Sequence, residues 1–113
     1  MSKKENIEEI AKILPLDVCF QQIAEECCEL SQAALKFSRY CGDINIPYHN
    51  GSPATLTYLE TEFLSEVADV LLVLDVLDEK VSFRNLNPFI EDQKTYKADR
   101  WIKRLTEKGD NNE

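Results

Sequence analysis

Glycine and proline are scarce in this chain, with 3 Gly and 4 Pro among 113 residues. Both residue types cluster in a few places, which leaves long stretches without a helix breaker. The balance of 43% apolar and 30% charged residues is that of a soluble globular protein and not of a disordered or membrane-embedded chain. We therefore expect one all-α domain over residues 1–113.

Histidine is also scarce, and the cysteines are not regularly spaced. His49 is the only histidine, and the four cysteines show no Cys-x-x-Cys or Cys/His spacing, which argues against structural zinc. Cys19, Cys27 and Cys28 fall within a helical pattern, in which adjacent residues point to different faces. These three residues are therefore predicted to be reduced thiols of the core.

Positive charge is in short supply, because 13 Lys and Arg stand against 21 Asp and Glu, for a net charge of −8. This balance argues against binding to a nucleic-acid backbone. Residues 1–6 carry no apolar run typical of a signal peptide, and no uncharged stretch is long enough to span a membrane. We expect a cytoplasmic protein with neither nucleic acid nor membrane as a partner.

Apolar residues recur every three or four positions along most of the chain, which is typical of amphipathic helices. Pro15 ends the first pattern, and the turn residues of segment 41–55 predict one long loop. The predicted helices cover residues 2–14, 16–40, 56–80 and 88–108. Gly109 is expected to end the last helix, within a polar tail over 106–113.

The predicted helix over 56–80 is apolar around nearly its whole circumference, so it must be buried on several sides. Its β-branched residues would suit a strand, but its length and the three-residue interval between Glu66 and Asp69 favour a helix. We expect an antiparallel hairpin of the two long helices, flanked by the shorter ones. Such hairpins would assemble into an oligomeric four-helix-bundle core, as a dimer or a tetramer.

Five acidic residues stand out on the two long helices. Glu25, Glu26 and Glu29 lie within one arc of roughly 100° on the first of them, and Glu66 and Asp69 share one side of the second. In an antiparallel hairpin, Glu29 and Glu66 would both lie roughly 15–17 Å from the loop end, at the same height. The two sets of carboxylates can therefore meet.

Carboxylates that converge in this way repel one another, so a cation is expected among them. Mg²⁺ suits the set, with Mn²⁺ as a substitute, because it takes carboxylate and water ligands and bridges to phosphates. For any single Glu, a solvated helix face is the commoner arrangement. A di-iron bundle would need Glu-x-x-His pairs, and neither long helix carries a histidine.

The sequences EECCE at 25–29 and EVAD at 66–69 resemble the MazG-like all-α nucleoside triphosphate pyrophosphohydrolases, whose hallmark is EExxE followed by ExxD. The similarity runs from about residue 22 to 105 and includes a basic closing helix. It implies an oligomeric enzyme whose neighbouring subunits complete each site, with all five acids binding Mg²⁺. The interval between the motifs is longer than is usual in the family, and Cys27 and Cys28 stand where other residues are commoner.

Further candidate substrate contacts come from a basic stripe and two separate residues. Lys97, Arg100 and Arg104 recur at helical spacing and could hold a triphosphate, although a solvated basic face is equally expected. The two separate residues are Gln22 and His49. Trp101 and Leu105, four residues apart, are expected to pack in the core.

The expected reaction is hydrolysis of a (deoxy)nucleoside triphosphate to a monophosphate and pyrophosphate, as in house-cleaning of the nucleotide pool. Glu26 or Glu29 would take the proton of the attacking water. Two alternatives stay open, namely a phosphoribosyl-ATP pyrophosphohydrolase and a non-catalytic helical interaction module. The sequence does not decide between dCTP, dUTP and a damaged nucleotide, because base selection depends on pocket shape.

Overall fold

A computed structural model describes residues 1–42, 53–82 and 87–111, which form four helices and contain no strand. The helices are α1 (Lys3–Ile13), α2 (Leu16–Gly42), α3 (Pro53–Val81) and α4 (Asn87–Asn111). The prediction of an all-α chain is thus confirmed. Among the described residues, no helix is both long enough and apolar enough to cross a membrane.

The chain divides into two compact units, Met1–Val81 and Ser82–Glu113. The first unit contains α1, α2 and α3, and the second contains α4. Each unit is described by itself below. The single domain over 1–113 stays a prediction.

Helix α1 begins after Ser2 and ends before Pro15. The Ser2 side chain accepts a hydrogen bond of 3.1 Å from the Glu5 backbone N–H, which satisfies one of the unpaired donors of the first turn. At the other end, the Leu14 N–H donates to the Ile10 carbonyl. Pro15 follows, and its carbonyl accepts from the Cys19 N–H to begin α2. Pro15 therefore separates two helices, as predicted.

The other helices run further than the sequence pattern predicted. Helix α2 continues to Gly42 and α3 begins at Pro53, so both ends of the predicted loop 41–55 are helical. Proline is tolerated there because the N–H groups of a first helical turn have no partner within the helix. Helix α4 passes through Gly109, where glycine costs only about 1 kcal/mol relative to alanine.

Helix α3 is the central element of the first unit, because both α1 and α2 pack against it. The rings of Phe37 and Phe63 lie 6.4 Å apart, and further along the pair Glu29 interacts with Glu66. From the far end of α3, the Lys80 Nζ donates to the Ala11 carbonyl at 3.0 Å.

Few side chains of the first unit are fully buried among those whose burial the structure describes. They are Ala11, Cys19, Ala33, Val76 and Leu77. Cys19 is fully buried as predicted, but Cys27 and Cys28 are exposed, so the prediction that they are core thiols is wrong. The reason is geometric, since the side of α2 that faces α3 at this height is occupied by glutamates.

Candidate metal centre

Helices α2 and α3 bring four of the five predicted acids together. Glu26 and Glu29 come from α2, and Glu66 and Asp69 come from α3. One carboxylate oxygen of each residue lies within 4.8 Å of the other three. Glu25, the fifth predicted ligand, is exposed and lies outside this group.

The helical repeat explains why these four residues converge. Two residues three positions apart lie on the same face of a helix, separated by about 4.5 Å along its axis. Each helix contributes one such pair, and the packing of α2 on α3 sets the pairs opposite each other. We call Glu26, Glu29, Glu66 and Asp69 the acidic cluster.

The acidic cluster shifts the pKa of Glu29. The negative charge of Glu26, a hydrogen bond with Glu26 and the charge of Glu66 together raise the pKa of the Glu29 carboxyl above its ordinary value. Because Glu29 is exposed, the effect comes mainly from neighbouring charges rather than from burial. A cation among these groups would relieve the repulsion that favours protonation.

The hydrogen bonds of the acidic cluster leave two oxygens unpaired. Gln22, a predicted substrate contact, donates from its Nε2 to the Glu26 Oε1 at 2.8 Å and so orients that carboxylate. Within the described residues, the Glu26 Oε2 and the Glu66 Oε2 are buried without a hydrogen-bond partner. Buried carboxylate oxygens need a donor or a cation to offset their desolvation. The four carboxylates of the acidic cluster together suit a hard divalent ion.

An ion pair joins the two helices one turn from the acidic cluster. The Lys36 Nζ lies 3.2 Å from the Glu62 Oε1, and Glu62 precedes Glu66 by four residues. Lys36 is not among the predicted site residues. The seven-residue interval between Glu29 and Lys36 places both side chains on the same face of α2. This spacing could have indicated that Lys36 lies near the site.

The predicted basic stripe lies on α4, in the second unit. Lys97, Arg100 and Arg104 line one shallow groove of about 190 Å³ together with Trp101. The Arg100 guanidinium lies 5.8 Å from the ring centroid of Tyr96. Trp101 is exposed, as is Leu105, so the expectation that these two residues pack in the core is wrong. His49 lies outside the described residues.

No protein family, curated protein or solved structure matches this chain. The functional assignment therefore depends on the chemistry of the described residues.

Proposed function

We propose that this chain is a Mg²⁺-dependent nucleoside triphosphate pyrophosphohydrolase. The observation that carries the proposal is the convergence of four carboxylates, Glu26, Glu29, Glu66 and Asp69, within 4.8 Å. Mg²⁺ is commonly held by a few carboxylates together with the phosphates of a substrate. Mn²⁺ has similar ligand preferences and is the expected substitute.

The four residues of the acidic cluster would hold the ion. When bound, Mg²⁺ would supply positive charge at the α-phosphate and lower the pKa of the attacking water. The hydrogen bond from Gln22 fixes Glu26, whereas Glu29 is exposed at the edge of the cluster. We assign Glu29 as the group that takes the proton of the water, with Glu26 as the alternative. Pyrophosphate leaves as the bond to the α-phosphate breaks.

The basic face of α4 is the proposed second contact for the triphosphate. The groove formed by Lys97, Arg100 and Arg104 presents cations that suit phosphate oxygens, and guanidinium groups offer paired donors. His49 stays a predicted substrate contact.

The apolar surface of α3 supports an assembly of two or more copies. Leu64 and Leu71 are 62% and 55% exposed and lie seven residues apart on one face. Phe37, Phe63 and Leu64 line a mainly apolar groove of about 450 Å³. We propose that α2 and α3 form an antiparallel hairpin and that hairpins pair into a four-helix core, as a dimer or a tetramer.

A substrate screen tests the proposed function directly. The full chain is incubated with Mg²⁺ and each of a panel of nucleoside triphosphates, including dCTP, dUTP and oxidised nucleotides, and pyrophosphate and monophosphate are measured. Parallel reactions with EDTA control for the ion. Turnover of phosphoribosyl-ATP alone would favour the related pyrophosphohydrolase. No turnover of any substrate would favour the helical interaction module and refute the proposal.

A further inference from the structure

The ion pair between Lys36 and Glu62 has features that a simple link between helices does not explain. The Lys36 Nζ bonds only one oxygen of Glu62, the Oε1, at 3.2 Å. The Glu62 Oε2 is buried and has no hydrogen-bond partner among the described residues. Exposed ion pairs contribute only about 0–1 kcal/mol to stability, so stability alone gives little reason for this arrangement.

The position of the pair relates it to the acidic cluster. Glu62 precedes Glu66 by one helical turn, about 6 Å along α3. Lys36 follows Glu29 by seven residues, which is two turns of α2 and within about 20° of the same direction. Side chains in a helix lean toward its N-terminus, so Lys36 leans back toward Glu29. The ammonium group thus lies on the face that carries the acidic cluster.

The other cations of α2 and α3 with described side chains are placed differently. Arg39 lies about 60° further round α2 than Lys36 and is exposed. Lys80 donates to the Ala11 carbonyl at the far end of α3. On these two helices Lys36 is therefore the cation best placed to meet an anion at the acidic cluster.

The chemistry of the Lys36 ammonium suits phosphate. It carries three N–H donors, of which Glu62 takes one. No other bond of this ammonium group is seen within the described ranges, so its two further donors can meet phosphate oxygens. The phosphates beyond the one attacked carry much of the substrate's charge and leave together as pyrophosphate, so a cation beside the metal ligands would stabilise both the bound substrate and the leaving group.

We propose that Lys36, held in place by Glu62, binds the terminal phosphates of the substrate and the pyrophosphate product. This inference rests on the proposed function and deepens it, because it names the residue that receives the leaving group. Glu62 is a positioning residue in this arrangement. It holds the ammonium group at 3.2 Å, one helical turn from Glu66, without contacting the substrate.

Binding of pyrophosphate tests the proposal without turnover. Mg²⁺ with inorganic pyrophosphate is titrated calorimetrically into the full chain and into Lys36→Gln, Lys36→Arg, Glu62→Gln and a control, Lys12→Gln. Lys12 also pairs with a glutamate, Glu9, at 3.9 Å, but it lies on α1. We expect Lys36→Gln to weaken binding by about tenfold or more, because it removes a charge-assisted hydrogen bond. Lys36→Arg should retain most of the affinity.

Three comparisons separate this role from a structural one. Lys12→Gln should bind like the wild type, and Glu62→Gln should weaken binding less than Lys36→Gln does. Mg²⁺ alone should stabilise Lys36→Gln and the wild type equally, which shows that the acidic cluster is intact. If Lys36→Gln binds pyrophosphate within about twofold of the wild type, or if the wild type does not bind it, the proposal is wrong.

The outcome also separates this inference from the proposed function. A wild-type chain that hydrolyses nucleoside triphosphates while Lys36→Gln keeps its pyrophosphate affinity and its KM refutes the role of Lys36 alone. A chain that binds pyrophosphate through Lys36 but hydrolyses no triphosphate refutes the proposed reaction alone.

Discussion

At the scale of single residues, the acidic cluster makes a direct prediction about turnover. Glu29→Gln and Glu66→Gln each remove a proposed ligand without removing side-chain volume. We expect turnover to fall by more than about 100-fold, since even the groups that orient metal ligands are worth about 10–100-fold. Pyrophosphate release measures turnover, and far-ultraviolet circular dichroism should show unchanged helical content.

The matched control is Asp75→Asn, which changes an exposed acid of α3 that is not in the acidic cluster. It should keep wild-type turnover. Glu25→Gln decides between a site of four acids and one of five. The variant should keep its turnover if four acids bind the ion and lose it if Glu25 is a fifth ligand. Wild-type turnover in both Glu29→Gln and Glu66→Gln would rule out the assigned site.

The pKa of Glu29 gives a second residue-level prediction. Mainly because of the charge of Glu26, this pKa is raised in the folded chain, so the folded chain binds the proton more tightly than the unfolded chain, where Glu titrates near about 4.3. The corresponding stability is fully present below that pH and is lost as the pH rises through the folded-state pKa. In metal-free buffer, the free energy of unfolding should therefore decline with rising pH across this window.

Urea titrations in EDTA at a series of pH values measure this decline. Glu29→Gln should reduce its slope, because the amide has no proton to lose, whereas Asp75→Asn should keep the wild-type slope. An identical slope in Glu29→Gln and the wild type would show that Glu29 is not responsible.

At the scale of helices, α3 is the element on which the first unit depends, since α1 and α2 both pack against it. Leu77 is only 3% exposed. Leu77→Ala should lower the free energy of unfolding by about 2–5 kcal/mol, the usual cost of truncating a buried leucine. Chemical denaturation measures the change. Asp75→Asn, two residues away and exposed, should stay within about 0.5 kcal/mol, and a similar loss in both variants would contradict a local packing effect.

The helix pattern could be predicted from the sequence because apolar periodicity and Pro15 are local signals. The ends of the predicted loop 41–55 could not be placed, since Gly42 and Pro53 are turn residues that the ends of a helix also accept. The same holds for Gly109, which α4 includes. Propensity alone does not decide between a helix that stops at such a residue and one that passes through it.

The acidic cluster could also be predicted, because equal height in a helix pair follows from residue spacing alone. What spacing cannot give is the direction of each side chain at the contact. Glu25 and Glu26 are neighbours in sequence, yet only Glu26 joins the cluster. The ion pair of Lys36 could not be predicted in the same way, because its partner, Glu62, lies on another helix and the pairing depends on how α2 and α3 pack.

At the scale of the whole molecule, Mg²⁺ should stabilise the fold. An ion that binds only the folded acidic cluster stabilises it by mass action, by about 2.7 kcal/mol when its concentration is about 100 times Kd. It also relieves the repulsion felt at Glu29. Thermal melts with and without millimolar Mg²⁺, at matched ionic strength, should show a higher Tm with the ion and a smaller increase in Glu66→Gln. The melts are repeated with a non-hydrolysable triphosphate analogue, and no increase in either condition would contradict a metal site.

The molecule should also be an obligate oligomer, at least a dimer, packed mainly through α3. Within one chain several large apolar residues of α3 are poorly covered, among them Leu64, 62% exposed, and Leu71, 55% exposed. Contiguous apolar patches of this kind mark interaction surfaces, and a two-fold axis would let one patch cover its copy. Light scattering at micromolar concentration should give at least twice the chain mass of 13.0 kDa.

A pair of charge substitutions locates this interface. The double variant Leu64→Asp with Leu71→Asp puts two carboxylates on the proposed contact face, where each would be buried without a partner at considerable cost. It should therefore shift the mass toward the monomer. Ile13→Asp changes an exposed apolar residue of α1 and should leave the assembly intact. A monomer mass for the wild type would refute the oligomer, and dissociation by Ile13→Asp alone would move the interface from α3 to α1.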